Sequence, residues 1–283
     1  MPKIPSPLKW PGGKSYLAKE IVKMMPRHLH YVEPYAGGLS VLLARDPNDE
    51  SLWLGDTSST RGVSEVVNDL NKQLTNFWRV LQNPIGFSVF KRHIEATPFS
   101  KSEWQDTENL LGESNSVKAA IGFFIRCRMS LAGRMQSFTG ITKGRTRGGR
   151  NAEVNAWLSA VEGLPQVFVR LRDVLILNIP ALHVITGQDG PHTLFYLDPP
   201  YLHETRATTT EYGQFEMSYD DHHQLLHTLG KIEGKFLLSG YRSQLYDLAA
   251  EVYKWQRKEF VLPNNAASGK EKRRMTECVW YNF

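Results

Sequence analysis

The sequence predicts an α/β fold in which two α/β zones are separated by an insert. Three observations carry this. A strand, a glycine turn and a helix follow one another around residue 35. Strands and helices alternate again from about residue 173. Between the two lies a basic, glycine-rich stretch unlike either neighbour. Residues 1–83 and 161–283 are expected to form one domain, with residues 84–160 inserted into it. With 283 residues, 41% hydrophobic and 22% charged, the chain has enough apolar material for a sizeable core.

In chain order, a turn at Pro11-Gly12-Gly13 leads into a helix over 15–25, then a short apolar strand over 29–32. A second glycine turn over 35–38 and a helix over 39–45 complete a βα unit of the nucleotide-binding type. Residues 63–68 read as another strand. The helix over 70–81 follows from Leu70, Leu74, Phe77 and Leu81 at helical spacing. From 114 to 152 there is no acidic residue, while Lys118, Arg126, Arg128, Arg134, Lys143, Arg145, Arg147 and Arg150 are basic. Gly133, Gly140, Gly144, Gly148 and Gly149 break this stretch into turns. A charge run is ordinarily a solvated face, but eight cations without a counter-charge argue for a phosphate-facing patch. Beyond it, strands are expected over 173–178, 193–197 and 235–239, and helices over 220–230 and 243–253. A final edge strand is expected over 275–283. The strand over 193–197 is continuously apolar, the pattern of a strand buried on both faces.

The net charge of +5 suits a polyanionic partner without demanding one. Cys127 and Cys278 form no disulfide framework and lack zinc-type spacing. The first residues contain no signal-peptide core, and no segment has the 18 apolar residues of a membrane span. These features lead to the expectation of a soluble, intracellular protein. His183, His192, His203, His222, His223 and His227 show no ligand spacing with a suitable carboxylate, so no metal is expected.

Four segments carry chemistry. Asp198-Pro199-Pro200-Tyr201 follows the buried strand directly, and ligand sites of open α/β sheets lie beyond the carboxyl ends of strands. Its two prolines give a stiff turn that displays a carboxylate and free carbonyls. Alone, the tetrapeptide reads equally as a strand-ending turn. Glu33-Pro34-Tyr35-Ala36-Gly37-Gly38-Leu39-Ser40 sets an acid and glycines between strand and helix, either an ordinary βα turn or a close backbone approach to a ligand. It lacks G-x-G-x-x-G, which argues against a nicotinamide cofactor. Asp69, before Leu70 and after a strand, is placed to hold ribose hydroxyls or to cap the next helix. Trp10-Pro11-Gly12-Gly13-Lys14 joins an aromatic, a tight turn and a cation. It either starts a helix or meets an anionic group.

Taken in order, these segments resemble the Dam-like, α-group DNA adenine methyltransferases, of a phage type. That family runs K-W-(A/P)-G-G-K, V-E-P-(F/Y)-x-G-(A/G)-x-S, an N-D or I-N segment, a recognition domain and D-P-P-Y. Tyr212, Phe215, Met217, Asp221, His222, Ser239-Gly240-Tyr241 and the basic stretch 268–274 resemble the later part of such chains. The resemblance implies a Rossmann-like S-adenosylmethionine-dependent methyltransferase domain, residues 1–83 and 161–283. It makes 84–160 a mostly helical, loop-rich DNA-recognition domain. It implies double-stranded DNA as partner, no membrane, no obligate protein partner and a cytoplasmic setting. It maps Trp10, Pro11, Gly12, Gly13, Lys14, Glu33, Pro34, Tyr35, Ala36, Gly37, Gly38, Ser40, Asp69, Leu70 and Asp198 onto cofactor contacts. Asp198, Pro199, Pro200 and Tyr201 become the catalytic motif, and Arg126, Arg128, Arg134, Lys143, Arg145 and Arg147 the DNA contacts. One departure stands out: relatives often carry an acid in an N-x-D segment before the D-P-P-Y strand, and this chain has Asn178-Ile179-Pro180.

The implied chemistry is methylation of adenine's exocyclic amine. Asp198 and the Pro199 carbonyl would accept its hydrogen bonds, and Tyr201 would stack on a base flipped from the duplex. Carbon-5 cytosine methylation needs a cysteine nucleophile, usually after proline, and neither cysteine here has that context. Methylation of cytosine's exocyclic amine and a catalytically silent DNA-binding module are the readings left beside it.

Overall fold

The computed structural model describes residues 4–55, 62–110, 116–139, 146–147, 149–206, 213–263 and 274–283. In chain order the elements are α1 (Ala18–Met24), β1 (His30–Glu33), β2 (Ser64–Asn68), α2 (Lys72–Gln82), α3 (Pro84–Ala96), α4 (Lys101–Asp106) and α5 (Val117–Arg128). They continue with β3 (Thr146–Arg147), β4 (Arg150–Asn151), α6 (Ala152–Leu171), β5 (Val174–Leu177), α7 (Ala181–Gly187) and β6 (Thr193–Leu197). The last are α8 (Tyr219–Leu229), β7 (Lys235–Gly240), α9 (Gln244–Tyr253), β8 (Gln256–Pro263) and β9 (Arg274–Tyr281). Seven strands form a sheet in the order β5-β2-β1-β6-β7-β9-β8, the Rossmann-like arrangement expected. The chain folds as two compact units. One holds Met1–Met24, Gly37–Asp49 and Val67–Asn178, the other Met25–Ala36, Glu50–Val66 and Ile179–Phe283.

The second unit is built on parallel strands. β1 pairs with β6 and β6 with β7 in parallel register, Val32 beside Phe195 and Leu197 beside Leu238. Every residue of β6 is buried, which a strand covered on both faces requires. β9 then runs antiparallel to β7, and β8 antiparallel to β9. The carboxyl-terminal strand is therefore internal and not the expected edge. The edge is β8, Gln256-Arg257-Lys258-Glu259-Phe260-Val261-Leu262-Pro263, whose charges hide it from a hydrophobicity reading. Such charges protect an open edge from unwanted pairing.

The first unit has an aromatic core around Phe77 of α2. Phe77 stacks on Phe124 of α5 at 5.7 Å and meets Phe90 of α3 edge-on at 5.8 Å. Trp157 of α6 closes on Phe124 at 5.4 Å. α2 starts at Asn71, whose side chain accepts from Gln73 N at 3.0 Å and Leu74 N at 3.2 Å. The capping role offered to Asp69 belongs to Asn71 instead. The helix expected over 39–45 shrinks to one 3-10 turn, Leu42–Ala44. Leu39 ahead of it lies at φ 54°, a left-handed conformation that stops a regular helix from starting there.

No helix among the described residues is long and apolar enough to cross a membrane. Replacing Asn71 by Ala frees two amide donors, so urea unfolding of Asn71→Ala is expected to show a loss of about 1 kcal/mol.

Candidate active site

In the first unit, Trp10 organises the expected cofactor segments. Gly37 lies at φ +48°, and a Cβ on it would stand 2.9 Å from Trp10 Nε1. A Cβ on Gly38 would meet Trp10 Cβ at 2.9 Å. These glycines therefore make room for the indole, where the sequence alone suggested room for a ligand. Trp10 also meets Phe123 at 6.3 Å, and Trp78 Nε1 donates to Gly37 O at 3.2 Å. Ser6 Oγ donates to Gly38 O at 2.6 Å, and Ser40 Oγ lies 3.7 Å from the Cβ position of Gly13.

Asp69 ties the second strand to the same turn. Its Oδ2 accepts Gly37 N at 3.0 Å and its Oδ1 accepts Asn71 N at 2.9 Å. Loss of solvent pushes its pKa up, opposed by those two amides. A carboxylate offers about four lone pairs, so two remain for a ligand. Asn178 Nδ2 donates to Asp69 O at 2.7 Å, while Pro180 caps α7 without a side-chain hydrogen bond. Lys14 is buried with Nζ donating to Gly12 O at 3.1 Å, whereas Leu70 is exposed.

In the second unit, Glu33 is buried at the end of β1 and accepts the Tyr31 hydroxyl at 2.7 Å. Pro34 and Ala36 are buried beside it. Asp198 follows β6 at the same edge. It is half-buried, Pro199 behind it is buried, and Pro200 is half-buried. Tyr201 is buried, and its hydroxyl donates to Glu277 Oε1 of β9. Tyr241 meets the Tyr201 ring edge-on at 4.8 Å and 77°. Burial, then the Asp198 and Glu277 charges, hold the Tyr201 phenol well above its ordinary pKa, so it stays a donor. Tyr246 of α9 is pushed up by burial, with Tyr35 and the Asp198 charge adding to it. Tyr35 is raised by burial and by the Asp221 charge.

Sequence reasoning missed three residues here: Glu277, Tyr246 and the inward role of His222. Asp221 closes a capping box with Ser218 at the start of α8, leaving its neighbour His222 to point inward. His222 is fully buried and shares a hydrogen bond with the Tyr246 hydroxyl at 2.9 Å. Burial pulls its pKa down to about 4, helped by Arg206 and His203 and opposed by Asp221 and the Pro200 backbone carbonyl. The signal for Glu277 was an acid directly before the apolar run Cys278-Val279-Trp280.

The basic set divides. Arg128 is buried and donates to the Ala156 carbonyl of α6, with burial lowering its pKa. That burial removes it from the expected phosphate-facing group. Arg126 lies over the Trp104 ring at 4.2 Å and donates from Nε to Met135 O at 3.3 Å, so most of its guanidinium serves packing. Arg134 is exposed on a turn where Ala132, Gly133 and Met135 all have positive φ. Lys143, Arg145, Gly140, Gly144, Gly148, Tyr212 and residues 268–273 lie outside the described residues, as does the side chain of Arg147.

The family model for D12 class N6 adenine-specific DNA methyltransferases matches residues 10–266. The Type II methyltransferase M.FokI of Planomicrobium okeanokoites is 27% identical over 103 residues, 33% of this chain. The match covers only 16% of that relative's length.

An unfolded histidine titrates near 6.5, and folded His222 near 4. The unfolded state therefore takes the proton first, and His222 contributes no pH dependence above about pH 7. Its contribution is expected to fall as pH drops from 6.5 towards 4, by up to about 3 kcal/mol. Urea unfolding across this range should show that slope in the native chain and lose it in His222→Gln. An equal slope in both would remove His222 as its source.

Proposed function

The chain belongs to the D12 class N6 adenine-specific DNA methyltransferase family, and on that premise we propose that it methylates the exocyclic amine of adenine at specific sites in double-stranded DNA. The observation that carries this reading is Asp198-Pro199-Pro200-Tyr201 at the carboxyl end of the fully buried β6, inside the matched span.

S-adenosylmethionine is the proposed cofactor, and the donor set suits it. Asp69 retains lone pairs for ribose hydroxyls, Lys14 offers an ammonium to a carboxylate, and Trp10 offers an aromatic face. Pro11, Gly12, Gly13, Glu33, Pro34, Tyr35, Ala36, Gly37, Gly38, Ser40, Leu70 and Asp198 complete the set by motif position. Pro180 supplies no acid for the cofactor's adenine. When bound, this cofactor supplies an electrophilic methyl group on a sulfonium.

The chain's own residues prepare the nucleophile. The lone pair of adenine's amine is conjugated with the ring and attacks poorly. Accepting its hydrogen bonds at the Asp198 carboxylate and the Pro199 carbonyl favours a tetrahedral nitrogen with a free lone pair. Asp198 acts as an acceptor, and the proton leaves the acidic product nitrogen after transfer. Positioning and preorganised acceptors of this kind are worth on the order of 7–11 kcal/mol. The target amine is inaccessible in a duplex, so the base is flipped out, and Tyr201 stacks on it for roughly 1–3 kcal/mol.

Residues 84–160 are proposed as the recognition insert, with Arg134, Lys143, Arg145 and Arg147 towards DNA. Arg126 has at most a secondary part. The setting proposed is the cytoplasm of a bacterial or phage-infected cell, with no obligate protein partner.

Single-turnover transfer of labelled methyl to duplex DNA is expected to vanish in Asp198→Ala while DNA binding persists. Retained turnover would sink the mechanism. Arg134→Ala is expected to weaken DNA binding uniformly across sequences and to reduce the salt slope by about one unit. An unchanged slope would place the DNA elsewhere.

A further inference from the structure

Tyr201 is held by an acid that the D-P-P-Y motif does not contain. Glu277 is 3% exposed, in a strand whose neighbours Cys278, Val279 and Trp280 are fully buried. A buried carboxyl group is unfavourable unless it is hydrogen-bonded, and a leucine would fill this position at lower cost. What the acid adds is an acceptor, and a donor it faces is the Tyr201 hydroxyl.

The topology explains how it arrives there. β6 and β7 run parallel, so both release their chains at one edge. β9 runs antiparallel to β7, with Cys278 beside Gly240. Glu277 therefore leaves the pairing at the end of β7, next to Tyr241 and at the edge where Asp198 begins. Tyr241, edge-on to Tyr201 at 4.8 Å, forms a wall beside the same ring. A phenol anchored at its hydroxyl and walled on one side cannot tilt or slide freely.

We propose that Glu277 is a positioning residue for methyl transfer, fixing the ring of Tyr201 through its hydroxyl so that the flipped adenine stacks at the correct height. The proposal rests on the reading of the chain as a DNA adenine methyltransferase. It assigns the tyrosine hydroxyl a task separate from the stacking face.

The test is single-turnover methyl transfer to duplex DNA by the full chain and its Tyr201→Phe, Glu277→Gln, Glu277→Leu and double Tyr201→Phe/Glu277→Leu variants. Folding is checked by circular dichroism. Tyr201→Phe keeps the ring and loses only the anchor, so it is expected to slow transfer by about 10- to 100-fold, the scale of a misplacement near 1 Å. Glu277→Leu is expected to slow it equally. Glu277→Gln, which keeps a carbonyl oxygen for the hydroxyl, recovers most of the rate. In the double variant the second change adds little, giving a coupling of about tenfold or more. A Tyr201→Phe variant at full rate overturns the proposal even if Glu277→Leu fails to fold. So does a Glu277→Leu penalty of the same size with and without the hydroxyl. A native chain inactive on duplex adenine overturns both this role and the activity it rests on, whereas an active chain with a fast Tyr201→Phe overturns this role alone.

Discussion

The burial of β6 on both faces is the constraint from which the active-site edge follows. Five consecutive buried residues give way to a half-buried carboxylate, and a charge is costly inside a sheet covered on both faces, so the strand ends where Asp198 begins. Pro199 and Pro200 supply the end, because neither has an amide to continue a ladder. β1 and β7 flank β6 in parallel and must finish at the same edge. Glu33, Tyr35, Ser239 and Tyr241 are gathered there by strand direction alone. β9 adds Glu277 because it runs the other way.

Around Asp198 the second unit gathers three phenols, an imidazole and two further acids, Glu277 and Asp221. The phenols of Tyr201, Tyr246 and Tyr35 are all held protonated by burial. His222 is held neutral by the same cause. Asp221, the neighbouring acid, is tied into the capping box of α8. An acceptor beside the protonated phenols of Tyr201 and Tyr246 suits a reaction that reshapes an amine, more than one that removes its proton first. In the first unit, a left-handed Gly37 and a strained, left-handed Leu39 accompany the close seating of Trp10.

Much of this was legible in the sequence, because burial on two faces writes a continuous apolar run. The pattern predicts Thr193–Leu197 and Lys235–Gly240 to within a residue of their limits, and α8 and α9 to within a residue or two. The failures share a cause: tertiary packing overrode a local pattern. Residues 39–45 have helical composition, but the turn that seats Trp10 leaves Leu39 left-handed. β8 carries Arg257, Lys258 and Glu259 because it is an edge, so its apolar signal is diluted. Arg128 read as surface charge although its guanidinium is buried against the Ala156 carbonyl. The motif residues were found by type and order, whereas Glu277, Tyr246 and His222 act through contacts far apart in the chain, which no local spacing encodes.

The most direct measurement is to incubate unmodified duplex DNA with the protein and S-adenosylmethionine and to sequence it with modified bases identified at single-nucleotide resolution. The account predicts N6-methyladenine at one recurring sequence and no other modified base. Methyl groups on cytosine, or DNA left unmodified by a folded protein that binds the cofactor, would contradict it.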